Sequence, residues 1–222
     1  MPSQHDPTPM TPYHLSLAAP AYARHYDPHT LNDADRARLH AHPSLADRAQ
    51  WQTSRALLHH LRNTHRRATL CLSHKHGHTL IAHSEHGKPG ADLETLRPRD
   101  FEALAANICS PQERTYLAQS AHPAHTFYQL WTLKEALIKA EDLRFPTDLP
   151  RIGLDPASQT LRSTRATPYR WLTLLINQQW IASALWPDVG NGHCQLHTYD
   201  CPIQSIDIPG GNLPLQIISQ KT

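Results

Sequence analysis

Three carboxylates and a lysine hold the clearest chemical promise in this chain. Asp92 and Glu94 lie two apart in Ala91-Asp-Leu-Glu94, and Glu135 and Lys139 lie four apart in Trp131-Thr-Leu-Lys-Glu-Ala-Leu-Ile-Lys139. On a strand, residues two apart point the same way, so both acids share a face while Leu93 enters the other. Carboxylates brought together from a strand and a helix suit a hard cation such as Mg2+, which leaves coordination positions for water and phosphate oxygens. The same residues also read as surface acids at a strand end, with Glu135 and Lys139 as a routine i,i+4 helix pair. Spacing alone favours that plainer reading.

Other groups carry weaker signals. Ser73-His74-Lys75 falls where a strand runs into a loop, a place for hydroxyl, imidazole and ammonium to meet a phosphate, or simply a polar turn. His74, His76 and His78 alternate as zinc ligands would on a strand, but Gly77 interrupts them and no cysteine joins. A histidine-based zinc protein is therefore the weakest reading. Arg55, Arg62, Arg66 and Arg67 could meet a polyanion, although such a run usually solvates a helix end.

The elements that position these residues follow from pattern. A helix over 127–140, at about 100° per residue, gathers Phe127, Leu130, Trp131, Leu133, Leu137 and Ile138 into one arc. Thr132, Glu135, Ala136 and Lys139 fall outside that arc, while Lys134 falls inside it and must snorkel out or find a polar partner at the core's edge. Strands are expected at 13–17, 69–73, 79–83, 91–94, 171–176 and 180–186, with a turn at 74–78. Helices are expected from Asn32 or Asp33 to His42, from Ser44 onward, and over 99–107 and 111–119. Ser110-Pro-Gln-Glu113 is a capping box that accounts for Glu113 on its own. Strands and helices occur in both halves without regular alternation, which argues an α+β fold.

The 222 residues suffice for a real core, with residues 1–12 as a loose tail. A net charge of +2 and 18% charged residues argue against general nucleic-acid binding. No apolar run approaches the ~20 residues of a membrane span. Four cysteines without a CxxC pair or framework spacing fit a reducing cytoplasm. The 18 histidines make charge climb steeply below neutral pH.

Taken in order, Leu72-Ser-His74, Gly90-Ala-Asp-Leu-Glu94, Ser110-x-x-Glu113 and Trp131-x-x-Lys-Glu135-x-x-x-Lys139 resemble the 4′-phosphopantetheinyl transferase family, more closely its larger, single-chain, surfactin-synthetase-activating type. The resemblance covers residues 45–140. It implies two similar α+β halves, 13–86 and 87–222, related by a pseudo-twofold axis with the active site in the cleft between them. It implies Mg2+ on Asp92, Glu94 and Glu135, and coenzyme A contacts from Ser73, His74, Lys75 and Lys134. The implied reaction moves the 4′-phosphopantetheine arm of coenzyme A to a serine of an acyl or peptidyl carrier protein, releasing 3′,5′-bisphosphoadenosine. Glu135, directly or through a water, would take the serine proton, and Lys139 would stabilise the charge that builds on the phosphate. A monomer is expected.

The chain also departs from the family pattern. No Gly-Lys-Pro loop precedes the Ser-His pair; Gly87-Lys-Pro89 follows it, so no role passes to Lys88. Gln50 replaces a basic residue, for which Arg48 or the Arg62–Arg67 cluster is the expected substitute, with Arg55 as a further contact. Glu141-Asp-Leu-Arg144 stands where glycines are common, and Ala91 where valine or isoleucine is usual. These departures motivate an alternative, a relative that binds coenzyme A or a carrier without transfer.

Overall fold

The computed structural model describes residues 13–166, 168–189, 192–209 and 211–219; the expected tail, 1–12, lies outside them. In β1 (Tyr13–Ala18), Leu15 and Leu17 enter one core while Ala18 enters another, as strand alternation requires. Next come α1 (Asp33–Ala41), whose first turn is capped by the Asn32 side chain, and α2 (Ala49–Thr64). The helix expected from Ser44 begins at Ala49 instead, after a 3-10 turn over Pro43–Leu45. The hairpin of β2 (Thr69–Lys75) and β3 (His78–Ser84) reaches further into the expected 74–78 turn. Only His76 and Gly77 turn, at φ 45° and 80°, the backbone that matches strand twist in a two-residue hairpin.

β4 (Gly90–Thr95), α3 (Phe101–Ile108), α4 (Pro111–Ala118) and α5 (Pro123–Glu141) follow. Beyond them lie β5 (Gly153–Asp155), β6 (Thr160–Arg162), β7 (Tyr169–Ile176) and β8 (Trp180–Pro187). The chain closes with β9 (Cys194–Tyr199), β10 (Ile206–Ile208) and β11 (Leu213–Ile218). One sheet has the order β10-β9-β1-β3-β2 and another β11-β7-β8-β4, with β5 and β6 as a separate pair. The architecture is α+β, and residues 87–222 supply strands to both large sheets, since β9 returns to pair with β1 in parallel. Among the described residues no helix is long and apolar enough to cross a membrane.

The inner faces of the two sheets meet in a core that includes Leu15, Leu17, Leu80, Leu93, Leu172 and Ala182. Leu57, Leu58 and Leu61 of α2 close the outer face of the first sheet over Ala18 and Ile81. Leu130, Leu133 and Leu137 of α5 cover the outer face of the second with Trp171, Leu175, Ile181 and Leu185. The four layers leave β2 and β4, the last strands of their sheets, side by side.

Toward α2, the first sheet carries stacked imidazoles. His14 lies 4.8 Å from His83 with the rings nearly parallel, and His65 lies 4.5 Å from His83. His14 Nδ1 lies 3.2 Å from His197 Nε2, and the buried His83 Nδ1 has no partner. Burial first, and neighbouring imidazoles second, lower His14 to about 4 and His83 to about 2. Below pH ~6.5 the unfolded chain therefore binds protons that the folded chain refuses, so stability falls with pH. Urea unfolding should show full stability above pH 7. The loss should be about 1.4 kcal/mol per pH unit for each ring, continuing to about pH 4 for His14. His14→Asn should flatten the slope; an unchanged slope would refute the assignment.

Candidate active site

β4 places the acids. Gly90, Asp92 and Glu94 pair with Leu185, Ser183 and Ile181 of β8, residues on the α5 side, while Ala91 and Leu93 join the core between the sheets. Gly90 fixes the approach of strand to helix: a Cβ there would lie 2.1 Å from the Ala136 carbonyl oxygen, where no side chain fits. Thr132 extends the contact, its hydroxyl 2.7 Å from that of Ser183, which is 2.8 Å from Thr173 Oγ1. The polar side of the expected amphipathic helix is thus not a solvent face. Thr132 and Ala136 are fully buried, while Trp131, Glu135 and Lys139 form a half-buried row at i, i+4 and i+8.

Side chains from β2, β4 and α5 converge along that row. Lys139 Nζ donates to Asp92 Oδ1 at 2.8 Å and to the Ala91 carbonyl at 3.0 Å. Ser73 Oγ donates to the same Asp92 oxygen at 2.9 Å and accepts from Leu93 N–H at 3.2 Å, joining the two sheets at one hydroxyl. Lys75 Nζ lies 2.7 Å from Glu94 Oε2. Burial raises the proton affinity of Glu135, with Asp92 and Glu94 adding to it and Lys139 opposing it. Burial works against the Lys139 ammonium, but adjacent Asp92 outweighs it and raises the pKa. His74 is lowered chiefly by burial, then by Arg55, Lys139 and Arg38, so the imidazole lies in a cationic field that an anion would relieve. Beside Lys75 and Glu94 a hollow of about 460 Å³ opens toward Trp131, Tyr128, Leu104 and Arg99. A larger one, about 580 Å³ between α3 and α4, holds none of these groups and plays no part here.

The donor set fits a hard cation: three carboxylates, one of them with a buried oxygen, Asp92 Oδ2, that has no partner. Among the described residues, however, no three His, Cys, Asp or Glu side chains are arranged as a ready metal site, and Asp92 and Glu94 face lysines. Of the alternating histidines, His76 contacts Arg97 and lies 6.1 Å from the Trp180 ring, and His78 packs 4.5 Å from the same ring.

Two of the expected substrate contacts, Lys134 and Arg55, lie in buried ion pairs. Lys134 is fully buried; its ammonium donates to Glu113 Oε2 at 2.9 Å, to Leu149 O at 2.7 Å and to Ile152 O. Its three donors thus meet three acceptors within the protein. Glu113 also accepts from Ser110 N–H and Leu154 N–H and pairs with Arg162 at 3.3 Å, so capping is only part of its role. The off-pattern angle of Lys134 signalled a buried partner, but the capping box had already explained Glu113. Arg55 is likewise buried, paired with Asp35 at 2.9 Å and 4.0 Å above the Trp51 ring. It can lend charge toward His74 but not a free guanidinium. Arg48 is exposed just before α2. Sequence reasoning missed Arg38, exposed above Trp51 at 5.7 Å, because nothing in its spacing links α1 to β2.

Glu113→Gln should destabilise the fold by ~3–5 kcal/mol, because it strands a buried ammonium. Adding Lys134→Met should recover a substantial part. Urea unfolding at pH 7 measures both, and a double variant no more stable than the single one would contradict the pairing.

Residues 88–185 match the family model of the 4′-phosphopantetheinyl transferase superfamily. A Synechocystis protein carrying the provisional name 4′-phosphopantetheinyl transferase is 38% identical over 72 residues, 31% of this chain and 29% of its own length. The match thus spans less than a third of that relative. The matched family segment contains Asp92, Glu94, Glu135 and Lys139, and in that segment the chain is similar to the 4′-phosphopantetheinyl transferase superfamily.

Proposed function

We propose that this chain transfers the 4′-phosphopantetheine arm of coenzyme A to a serine of an acyl or peptidyl carrier protein in a Mg2+-dependent reaction. The observation that carries the reading is the shared face of β4 and α5, where Asp92 and Glu94 stand beside Glu135 and Lys139 with the Ser73–Lys75 strand end alongside. The family match over that segment supports the same chemistry.

In the reaction the serine oxygen attacks the phosphorus that carries the pantetheine arm, and the bond to the 3′,5′-bisphosphoadenosine leaving group breaks. Such a displacement asks the protein mainly for alignment and charge stabilisation. Mg2+, held by Asp92, Glu94 and Glu135, would neutralise pyrophosphate charge. Glu135, directly or through a water, would accept the serine proton as the oxygen attacks. Lys139, kept cationic by Asp92, faces the charge that grows on the leaving phosphate. His74 and the neighbouring charges of Arg38 and Arg55 offer a positive field for the coenzyme phosphates. The carrier serine must approach along the half-buried row of α5, next to the hollow lined by Trp131 and Tyr128.

Incubating the purified protein with coenzyme A, Mg2+ and apo carriers of fatty-acid, polyketide and peptide types tests the reading by intact mass. One carrier class should gain a single phosphopantetheine, and Glu135→Gln should slow the gain by about 10²–10⁴-fold. Coenzyme A binding without transfer to any carrier would favour the binding-only alternative. Neither binding nor transfer would overturn both.

A further inference from the structure

Both acids of β4 are held by lysines. Asp92 Oδ1 lies 2.8 Å from Lys139 Nζ, and Glu94 Oε2 lies 2.7 Å from Lys75 Nζ. The two pairs differ from a sealed ion pair elsewhere in the domain. Lys134 and Glu113 are sealed at 0% exposure, whereas the Lys139 and Lys75 side chains are 30% and 33% exposed. Lys75 ends β2 just before the turn, and Lys139 lies in the last turns of α5, so both flexible stems can swing outward without disturbing the backbone. Ser73, by contrast, is fixed by Leu93 N–H. Asp92 is 6% exposed, and its second oxygen, Oδ2, is buried without a partner although its first already accepts from Lys139 and Ser73.

We propose that Lys75 and Lys139 are stand-in cations, which neutralise Glu94 and Asp92 in the ligand-free protein and leave them for phosphate oxygens when a divalent ion and a pyrophosphate arrive together. The inference rests on the function proposed above. A divalent ion entering alone meets two ammonium groups on the carboxylates it needs, so it must expel them into water against like-charge repulsion. An ion arriving with a pyrophosphate brings the anionic oxygens that can accept both ammoniums. Ion and coenzyme therefore bind with positive coupling, and by linkage each strengthens the other by the same factor. The unpartnered Asp92 Oδ2 is the oxygen that the stand-in arrangement leaves unserved.

Coupling alone would also arise if the pyrophosphate simply shared the ion, so the decisive measurement is ion binding without coenzyme. Binding of Mn2+ alone, followed by electron paramagnetic resonance, should be weak in the unaltered protein and about ten-fold or more tighter in Lys75→Met. Lys75→Arg should stay weak, and Glu94→Gln should bind less than the unaltered protein. Lys75→Gln, which keeps a polar head, should behave as Lys75→Met and guards against a packing artefact. Coenzyme A should tighten Mn2+ binding less in Lys75→Met than in the unaltered protein. Mn2+ affinity unchanged or lowered in Lys75→Met and Lys75→Gln, or no Mn2+ binding in any variant, would overturn the proposal. These readouts need no carrier and no turnover, so a failed transfer assay and a failed lysine exchange are separate results.

Discussion

Where β4 crosses α5, a strand backbone passes so near the Ala136 carbonyl that only glycine fits at position 90. That approach sets everything nearby. It fixes the height of the strand along the helix, so that Asp92 falls within reach of Lys139 and near Glu135. It also forces small or hydroxyl-bearing side chains onto the same side of the helix, where Thr132 meets Ser183 and Thr173 in a chain of buried hydroxyls. Hydroxyls that bond one another are less demanding to bury than charges, yet leave no freedom to slide, because a shift would strand each of them. A face built from Gly, Ala, Thr and Ser lets helix and strand approach closely enough for longer polar side chains at its edge to meet.

Two groups of charges in this domain contrast with each other. Lys134, Glu113 and Arg162 form a network whose ammonium has acceptors on every side. Gly153 leaves the space for it, since a Cβ there would come within 2.2 Å of Glu113 Oε1. The network ties α4, α5 and β5 together away from solvent. Lys75, Glu94, Lys139 and Glu135 instead sit half-covered around the buried Asp92, three acids facing two ammoniums. Such a set is held together by mutual neutralisation, and any ligand that changes the charge balance can rearrange it. The first arrangement holds structure; the second can respond to a ligand.

The spacing of Asp92 and Glu94 was legible because period-two alternation is a property of any strand, and Leu93 did enter the opposite core. The α5 helix was legible as a helix, but not the fate of its polar side. Periodicity tells how residues divide around an axis, not what lies beyond each side, and here β4 and β8 lie there. Glu113 shows the complementary limit: a capping box is a complete local explanation, so nothing local hinted that the same carboxylate reaches Lys134. Arg55 stacks on Trp51 one turn earlier in its own helix, but it pairs with Asp35 of α1, a helix whose placement against α2 no motif encodes. The return of β9 to β1 is a long-range pairing of the same sort. It is why a boundary at residue 86 does not separate the sheets.

The family match begins at residue 88, so β2 lies outside it, and yet the site does not divide there. Asp92 belongs to the matched segment, but its Oδ1 takes a hydrogen from Ser73, and Ser73 accepts from the backbone of Leu93. Glu94 is likewise paired with Lys75 from outside the match. One hydroxyl and one ammonium from β2 therefore set how the β4 carboxylates point. The acids and Lys139 come from the matched segment, while the first sheet supplies partners that hold Asp92 and Glu94. Two partners of the β4 carboxylates, the Ser73 hydroxyl and the Lys75 ammonium, precede the matched segment, so a fragment starting at residue 88 would keep the motifs and lose those partners.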